Sequence, residues 1–385
     1  MDKVLFFIPS LYNSAGMERI STDLVNLLRA CGVGADFCVL SARSDSFFPL
    51  CAGVAVHSLG GTGRVRSQRW LMARRLRRVI RQGGYRTLVN VDVAMVQVAA
   101  LALPQTLGCR VVSWEQFSMA TARGAAWLKR LFTVCFSCST VVLTQADRRS
   151  YPAWARRRVE VIPNFTNINP SGRRADMGQR RVLAAGRLCR EKGFDLLLEA
   201  WARVAARHSG WELCIAGAGA DRAALEAQAA RLGLKGSVRL LGVVRSMSEA
   251  YLSASLFVLS SRHEPFGLVL IEAKSFGLPV VSFDCPFGPR EIVADGTDGL
   301  IVAGGDVGAL ADALSALMAS GERRAAMSAE AVADYERRWS RERVLLKWCK
   351  LLGINEITPP INVRMVRRVC PSRRSFFRFV HRQAA

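Results

Sequence analysis

Carboxylates are scarce in this chain of 385 residues: 31 Asp plus Glu stand against 54 Lys plus Arg, a formal charge of +23. A surplus that large predicts an anionic partner, whether nucleic acid, an acidic membrane face or a phosphorylated substrate, and does not choose among them. Histidine is scarcer still. His57, His208, His263 and His381 are the only four, no two of them close in sequence, and they suggest no zinc site. His263, next to Glu264, could touch substrate but reads first as helix or loop surface. No Asp-x-Asp occurs and no His/Cys cluster has ligand spacing. No GxxxxGKS or GxxxxGKT phosphate loop is present, which argues against a P-loop NTPase. No run reaches the ~18 uncharged apolar residues of a membrane-spanning helix. The amino end, MDKVLFFIPSLYNSAG, has one Lys, a short apolar run and no cleavage-like site, so it reads as a first buried strand and not as a signal peptide. The 11 cysteines are odd in number and lack a framework spacing. They read as small buried hydrophobes of a reducing compartment, the lone Cys135-x-x-Cys138 included. A soluble or peripheral cytoplasmic protein follows.

What is present is globular. Half the residues are hydrophobic and 22% are charged, and the length predicts two or three domains at ~100–200 residues each. Strands are expected at Val4 to Ile8, Ala35 to Leu40, Thr87 to Val91, Arg110 to Trp114 and Val141 to Thr144. Helices are expected at Glu18 to Ala30 and, very basic, at Trp70 to Arg81. The Pro-, Asn- and Gly-rich Ile162 to Ala175 reads as a linker. The alternation then restarts: strands at Arg181, Trp211, Val238, Leu256, Pro279 and Gly299, helices at Phe194, Asp221, Leu268 and Val307. Alternating strand and helix means doubly wound parallel sheets. Their ligands bind at the carboxyl ends of strands, and two facing sheets make a cleft. Ala329 to Leu352 is expected as one long or kinked helix. Beyond Glu356 the chain has no acid but seven arginines from Arg364 to Arg382, mixed with aromatics.

The most informative stretch is HEPFGLVLIEAKSFGLPVVSFDCPFGPREIVADGTDG, His263 to Gly299. Glu264 follows an apolar strand, in a loop that Pro265 and Gly267 keep open. Glu272 lies in the first turns of the next helix. Carboxylates on a loop and on a helix can face one ligand, and they accept paired sugar or ribose hydroxyls well. Backbone N–H groups at the helix start suit a diphosphate. Read alone, the two are a loop Glu and a solvated helix Glu; the surrounding string favours the site. In FGPREI, Gly288 either lets the backbone approach a ligand or makes an ordinary turn. Gly217 and Gly219 in AGAGADR read as a tight turn.

That string resembles the signature of retaining glycosyltransferases of family 4, of the GT-B fold and bacterial surface-polysaccharide type, with Glu264 and Glu272 as the E-x7-E pair. AAGRLCREKGFDLLLEA, VIPNF and SAGMER are similar to further motifs of that family. The resemblance implies two Rossmann-like doubly wound parallel-sheet domains with an interdomain cleft. It places an acceptor-binding domain at 1–166, a nucleotide-sugar domain at 167–328, a helix at 329–352 packing back on the first domain, and a basic tail at 353–385. Glu264, Arg187 and Lys192 would be catalytic, the two cations neutralising the departing diphosphate with no metal or other cofactor. Glu272 would hold the donor ribose and Glu264 the donor sugar, with Gly16, Phe266, Gly267 and Leu268 also at the donor. Glu115, Gln116 and Gly288 would touch acceptor or sugar. Two positions depart from the family. Ala15 stands where relatives often have glycine. Gln116 stands where they often have His, and Gln cannot carry a proton; it binds or simply packs.

The expected function is retaining transfer of a hexose or N-acetylhexosamine from a nucleotide sugar, a UDP-sugar favoured, to a lipid-linked oligosaccharide in surface-polysaccharide synthesis. Peripheral contact with an anionic membrane is expected through Arg64 to Arg81 and the Arg364 to Arg382 tail, on the inner face of the plasma membrane. The alternatives are another nucleotide-sugar enzyme of this fold, such as an epimerase, or a basic nucleic-acid-binding protein. An epimerase needs a positioned base, which the scarcity of His disfavours. Recognition elements for nucleic acid are absent, so no nucleic-acid partner is expected.

Overall fold

The computed structural model describes residues 3–13, 16–61, 65–116, 122 and 124–354, with the side chains of 65–67 outside that set. The chain divides into two compact units. One comprises the described residues of Met1–Leu143 and Arg148–Ile162 and those from Val344 onward; the other comprises Thr144–Asp147 and Pro163–Arg343.

The first unit is built on β1 (Lys3–Ile8), β2 (Ala35–Ser41), β3 (Val56–Gly61), β4 (Tyr85–Val91), β5 (Arg110–Trp114), β6 (Ser139–Val142) and β7 (Val159–Val161). They form one seven-stranded sheet in the order β3-β2-β1-β4-β5-β6-β7, with every pair parallel. The helices are α1 (Gly16–Ala30), α2 (Val65–Gly83), α3 (Val96–Ala102), α4 (Ala125–Phe136) and α5 (Gln145–Ser150). Phe6, Phe7 and Ile8 are fully buried, as a central parallel strand requires. The crossovers through α2, α3 and α4 all step the same way across the sheet. Right-handedness therefore puts these helices on one face, and α1, which steps the other way, on the opposite face.

The second unit carries β8 (Arg181–Ala185), β9 (Glu212–Ala216), β10 (Val238–Gly242), β11 (Leu256–Leu259), β12 (Val280–Asp284) and β13 (Gly299–Ala303). They form a parallel sheet ordered β10-β9-β8-β11-β12-β13. Its helices are α6 (Phe194–Ala205), α7 (Arg222–Arg231), α8 (Met247–Leu252), α9 (Leu268–Ser275), α10 (Pro289–Ile292), α11 (Val307–Ala319) and α12 (Gly321–Asp334). Leu197, Trp201, Leu213, Ile215, Leu310 and Leu314 centre its core. A last helix, α13 (Arg341–Leu352), belongs to the first unit from Val344 on, where Trp348 packs edge-on against Trp114 with ring centroids 4.9 Å apart.

Four expectations are corrected. Strands β3 and β7 carry no apolar run: VHSLGG is mostly half-exposed and VEV is three residues long, so neither announces itself by pattern. Strand β6 begins at Ser139, two residues before the expected start. The long carboxyl helix is interrupted. A π-helical turn, Tyr335–Trp339, follows α12, and extended Ser340 ends it. The Trp339 indole N–H donates back to Asp334 across 2.9 Å, which holds the widened turn. Finally, Cys135 and Cys138 are exposed rather than core, because they lie on the outward side of α4 and on the turn leaving it.

The glycines of AGAGADR serve backbone approach as well as turning. The loops leaving β8 and β9 interlock: Gly186 N–H donates to Ala216 O at 3.0 Å and Leu188 N–H to Ala218 O at 2.9 Å. A Cβ on Gly217 would stand 1.8 Å from the Gly186 carbonyl oxygen, at φ +146. Gly217→Ala should therefore cost ~2 kcal/mol or more by strain and displacement, read as a lower urea midpoint at unchanged slope.

Candidate functional site

In the second sheet the strand order reverses between β8 and β11. Ligands of open α/β sheets bind beyond the carboxyl ends of the strands at such a reversal. The predicted residues of this unit gather there. The loop leaving β8 carries Arg187 and Lys192, and the loop leaving β11 carries Glu264. The two loops are stitched together. Ser260 Oγ donates to Lys192 O at 3.0 Å, and Arg262 N–H donates to Glu191 O at 2.8 Å. The Arg262 guanidinium forks onto Asp195 at 2.7 and 2.6 Å and also donates to Arg190 O. That fork holds the Asp195 carboxyl below its usual range.

At the centre, Lys192 Nζ meets Glu264 Oε2 at 2.5 Å, and Ser261 Oγ donates to the same oxygen at 3.3 Å. Glu264 Oε1 has no partner among the described residues, so it is the oxygen a ligand donor would meet. Arg187 is exposed and pairs with no carboxylate among the described residues, though it lies close enough to Glu191 to help lower that carboxyl, after the Cys189 thiol donor. Burial pushes the Cys285 thiol up to about 12, with Glu264 adding to the shift, so this neighbour is no thiolate at neutral pH.

The wall behind Glu264 is backbone. Residue 264 bridges Phe287 in parallel, and Phe287 takes φ +84, rare for a side chain of that bulk. A Cβ on Gly288 would lie 2.1 Å from the Phe266 carbonyl oxygen. Gly288 thus lets FGPREI close onto the Glu264 loop, and the ligand approach expected of it is, in this structure, an approach to protein. His263 is half-buried with its ring edge-on to Phe287, a more enclosed position than expected. Gly267, at φ +93, turns the chain into α9, and Phe266 is buried against Trp339. Leu268 opens α9, half-buried.

Glu272 sits on α9 and is buried. Tyr251 Oη donates to its Oε2 at 2.7 Å and Thr166 Oγ1 to its Oε1 at 3.2 Å. Two residues on, Lys274 is fully buried and donates to Asp298 at 2.7 Å, Asp334 at 2.6 Å and the Ile292 carbonyl at 2.6 Å. Sequence reasoning missed Tyr251, Thr166 and the Lys274 cluster. A lysine within the apolar run LVLIEAKSFGLPVV was the available signal.

Gly16, Glu115 and Gln116 belong to the first unit. Gly16 opens α1 beyond the end of β1, with open space around it. Glu115 follows β5 and is buried, holding Arg130 at 3.0 Å and the Tyr151 hydroxyl at 2.9 Å through Oε2; Gln116 is half-buried beside it. Ser14 and Ala15 of SAGMER lie outside the described residues. Among the described residues no three His, Cys, Asp or Glu side chains stand together as a metal site.

Residues 167–333 match the family described as glycosyl transferases group 1. The chain is 29% identical to the amylovoran biosynthesis glycosyltransferase AmsD of Erwinia amylovora over 361 residues, 92% of this chain and all of that protein. It is 28% identical to an uncharacterized glycosyltransferase of Haemophilus influenzae over 305 residues, 78% of this chain and 86% of the other. Among solved structures it is similar to Anabaena HepE in complex with UDP, with a TM-score of 0.75, 18% identity, and 91% of this chain and 99% of that one covered. The fold is thus GT-B, as the sequence motifs lead one to expect.

Replacing Lys274 by Met would leave two carboxylates buried without their cation. Breaking a buried ion pair costs ~3–5 kcal/mol, so Lys274→Met should lower the unfolding free energy by that much, read as a lower urea midpoint at unchanged slope. The Asp334 carboxyl lies below its ordinary range: burial would raise it, but Lys274, Trp339 and Arg338 outweigh burial. A lowered carboxyl adds stability above its unfolded pKa that is lost as pH falls through the folded one. The gap between wild type and variant should therefore narrow below about pH 4.

Proposed function

We propose that this chain, a glycosyltransferase by its matched domain and its relatives, moves a hexose or N-acetylhexosamine from a nucleotide sugar to a lipid-linked oligosaccharide of a bacterial surface polysaccharide, with retention. A UDP-sugar is the favoured donor. The observation that carries the reading is the Lys192–Glu264 pair at the strand-order reversal, with Glu264 Oε1 open and Arg187 exposed on the same loop. The UDP bound by HepE and the amylovoran pathway named for AmsD support the donor and the product class.

In this mechanism the bond from sugar C1 to the diphosphate oxygen breaks, and negative charge grows on the departing phosphate. Arg187, Lys192 and the backbone N–H groups at Gly267 and Leu268 stabilise that charge more in the transition state than before it. Glu264 Oε1 accepts a donor-sugar hydroxyl and orients the ring. Glu272, which already accepts from the Tyr251 and Thr166 hydroxyls, would hold the donor ribose. The acceptor hydroxyl attacks C1 from the face the diphosphate leaves, and its proton passes to the leaving phosphate oxygen, so no protein base is needed. The roles of Gly16 at the donor and of Glu115 and Gln116 at the acceptor or sugar rest on the resemblance to the family motifs. The reading requires no metal, because the cations of the β8 loop supply the charge.

Peripheral membrane contact belongs to the same reading. Arg69, Arg74, Arg75, Arg78 and Arg81 are exposed on α2. Arg64, the side chain of Arg66 and the tail from Arg364 to Arg382 lie outside the described residues. Among the described residues no helix is long and apolar enough to cross a membrane.

Thermal shifts with UDP-, GDP-, ADP-, CMP- and dTDP-sugars test the donor. At ~100 times its Kd a ligand adds ~2.7 kcal/mol. One nucleotide class should stabilise the protein with or without chelator, and Glu272→Ala should lose that shift. Lys192→Ala should lower kcat ~100-fold or more, the scale of losing one group that stabilises transition-state charge. No shift with any nucleotide sugar, joined to a steeply salt-dependent affinity for DNA, would overturn the reading in favour of a nucleic-acid-binding protein.

A further inference from the structure

The outward side of α4 is apolar. Leu128 is 62% exposed, Phe132 48% and Trp127 38%. Leu128 and Phe132 stand one turn apart on one stripe, with exposed Cys135 continuing it and half-buried Leu131 and Phe136 beside it. The charged residues of the helix do not interrupt the stripe: Lys129 is half-buried, and Arg130 is turned inward onto Glu115. A surface helix ordinarily shows polar residues to water. This one has its apolar residues on both sides, as a helix covered by something else would.

Its neighbours show what kind of surface covers it. Helices α2 and α3 share the same face of the sheet, and α2 presents Trp70, 62% exposed, and Leu71 near its start, as α4 presents Trp127 and Leu128 near its own. Both helices run back from the carboxyl ends of the strands, so both Trp–Leu pairs lie toward that end of the sheet. Between Asp45 and Asp147 the sequence has only two carboxylates, Asp92 and Glu115. Asp92 caps the turn after β4 by accepting the Ala94 N–H, and Glu115 is buried. Helices α2, α3 and α4 therefore carry no acid at all, while α2 carries five exposed arginines. Where α4 ends, at the amino ends of the strands, a cavity of about 580 Å³ opens beside it, with Arg110 and Arg158 among its lining residues.

We infer that this face of the first unit docks on an anionic bilayer, with Trp127, Leu128 and Phe132 of α4 entering the interface and the exposed α2 arginines meeting lipid phosphates. Exposed Trp, Leu and Phe beside arginines with no acid among them is the composition that binds such an interface. The inference extends the peripheral contact read from the basic residues alone: α4 supplies an apolar anchor that charge counting does not reveal. It rests on the proposed lipid-linked acceptor only for its purpose; the surface itself stands independently of the reaction.

The test is co-sedimentation of the full chain with vesicles of phosphatidylglycerol plus phosphatidylcholine, against phosphatidylcholine alone. Four proteins are compared: wild type, the double variant Leu128→Ser/Phe132→Ser, Arg74→Gln/Arg78→Gln, and a deletion of residues 355–385. Thermal unfolding and the nucleotide-sugar shift are read on each. Wild type should bind the anionic vesicles. The α4 variant should lose about tenfold or more in apparent affinity at every salt concentration, with its unfolding and donor shift unchanged. The arginine variant should weaken mainly at low salt. Undiminished vesicle binding by a folded α4 variant overturns the inference. So does a wild type that ignores vesicles but dimerises through the patch, shown by light scattering and broken in the α4 variant, which would make the cover a second copy of this chain. Loss of binding only on deletion of residues 355–385 would assign the contact to the tail instead. Vesicle binding without any nucleotide-sugar shift would leave the surface standing and fell the proposed reaction.

Discussion

The second unit turns on one buried ammonium group. Lys274 has no exposed surface, and its three hydrogen bonds run to the end of α10, to the loop before β13 and to the end of α12. A charge in that position is tolerable only because two carboxylates and a carbonyl fill its donor sites. The arrangement fixes α9 from behind. Glu272, two residues earlier on the helix, is thereby held where Thr166 and Tyr251 can reach it. Asp334 carries the constraint outward, through Arg337, Arg338 and the Trp339 indole into the π-helical turn that ends this unit.

The site at the strand reversal shows a different economy of charge. Lys192 and Glu264 are partly buried and close, which orders both side chains before any ligand arrives. Under the proposed reaction such a pair would be opened by a diphosphate on one side and a hydroxyl on the other, each ligand replacing part of what the partner gave. The supporting loops are rigid for a reason of shape. Gly217 and Gly288 bring main chain against main chain at separations no side chain would allow. Such a scaffold pre-organises donors and acceptors at little reorganisation cost.

Much of the fold was legible, and the reason is periodic burial. Strands such as β1, from Val4 on, and β11 are continuous apolar runs because both faces of a parallel sheet are covered. Edge strands β3 and β7 escape that logic, being half-exposed or too short to show a pattern. At the site, Glu264, Lys192 and Glu272 stood out through motif and spacing. The partners of Glu272 did not: Thr166 lies 106 residues away and Tyr251 lies 21 away, and no local spacing joins them. Lys274 was passed over for a different reason: a lysine on a helix is ordinarily solvated, and the apolar run around it was the one local sign that it is dry. The outward stripe of α4 reads as ordinary core until exposure is known. Its two exposed cysteines were misjudged by the same rule that judged the buried ones correctly.

The assignment of α13 to the first unit has a consequence for synthesis on the ribosome. The unit's strands are complete once Ile162 has emerged, but the helix that brings Trp348 to Trp114 begins about 180 residues later, a delay of ~10–40 s at ordinary rates of translation. Through that interval the nascent sheet has an uncovered aromatic face. A helix made after the second unit thus closes the unit made before it. Truncation that removes α13 would leave the first unit open as well.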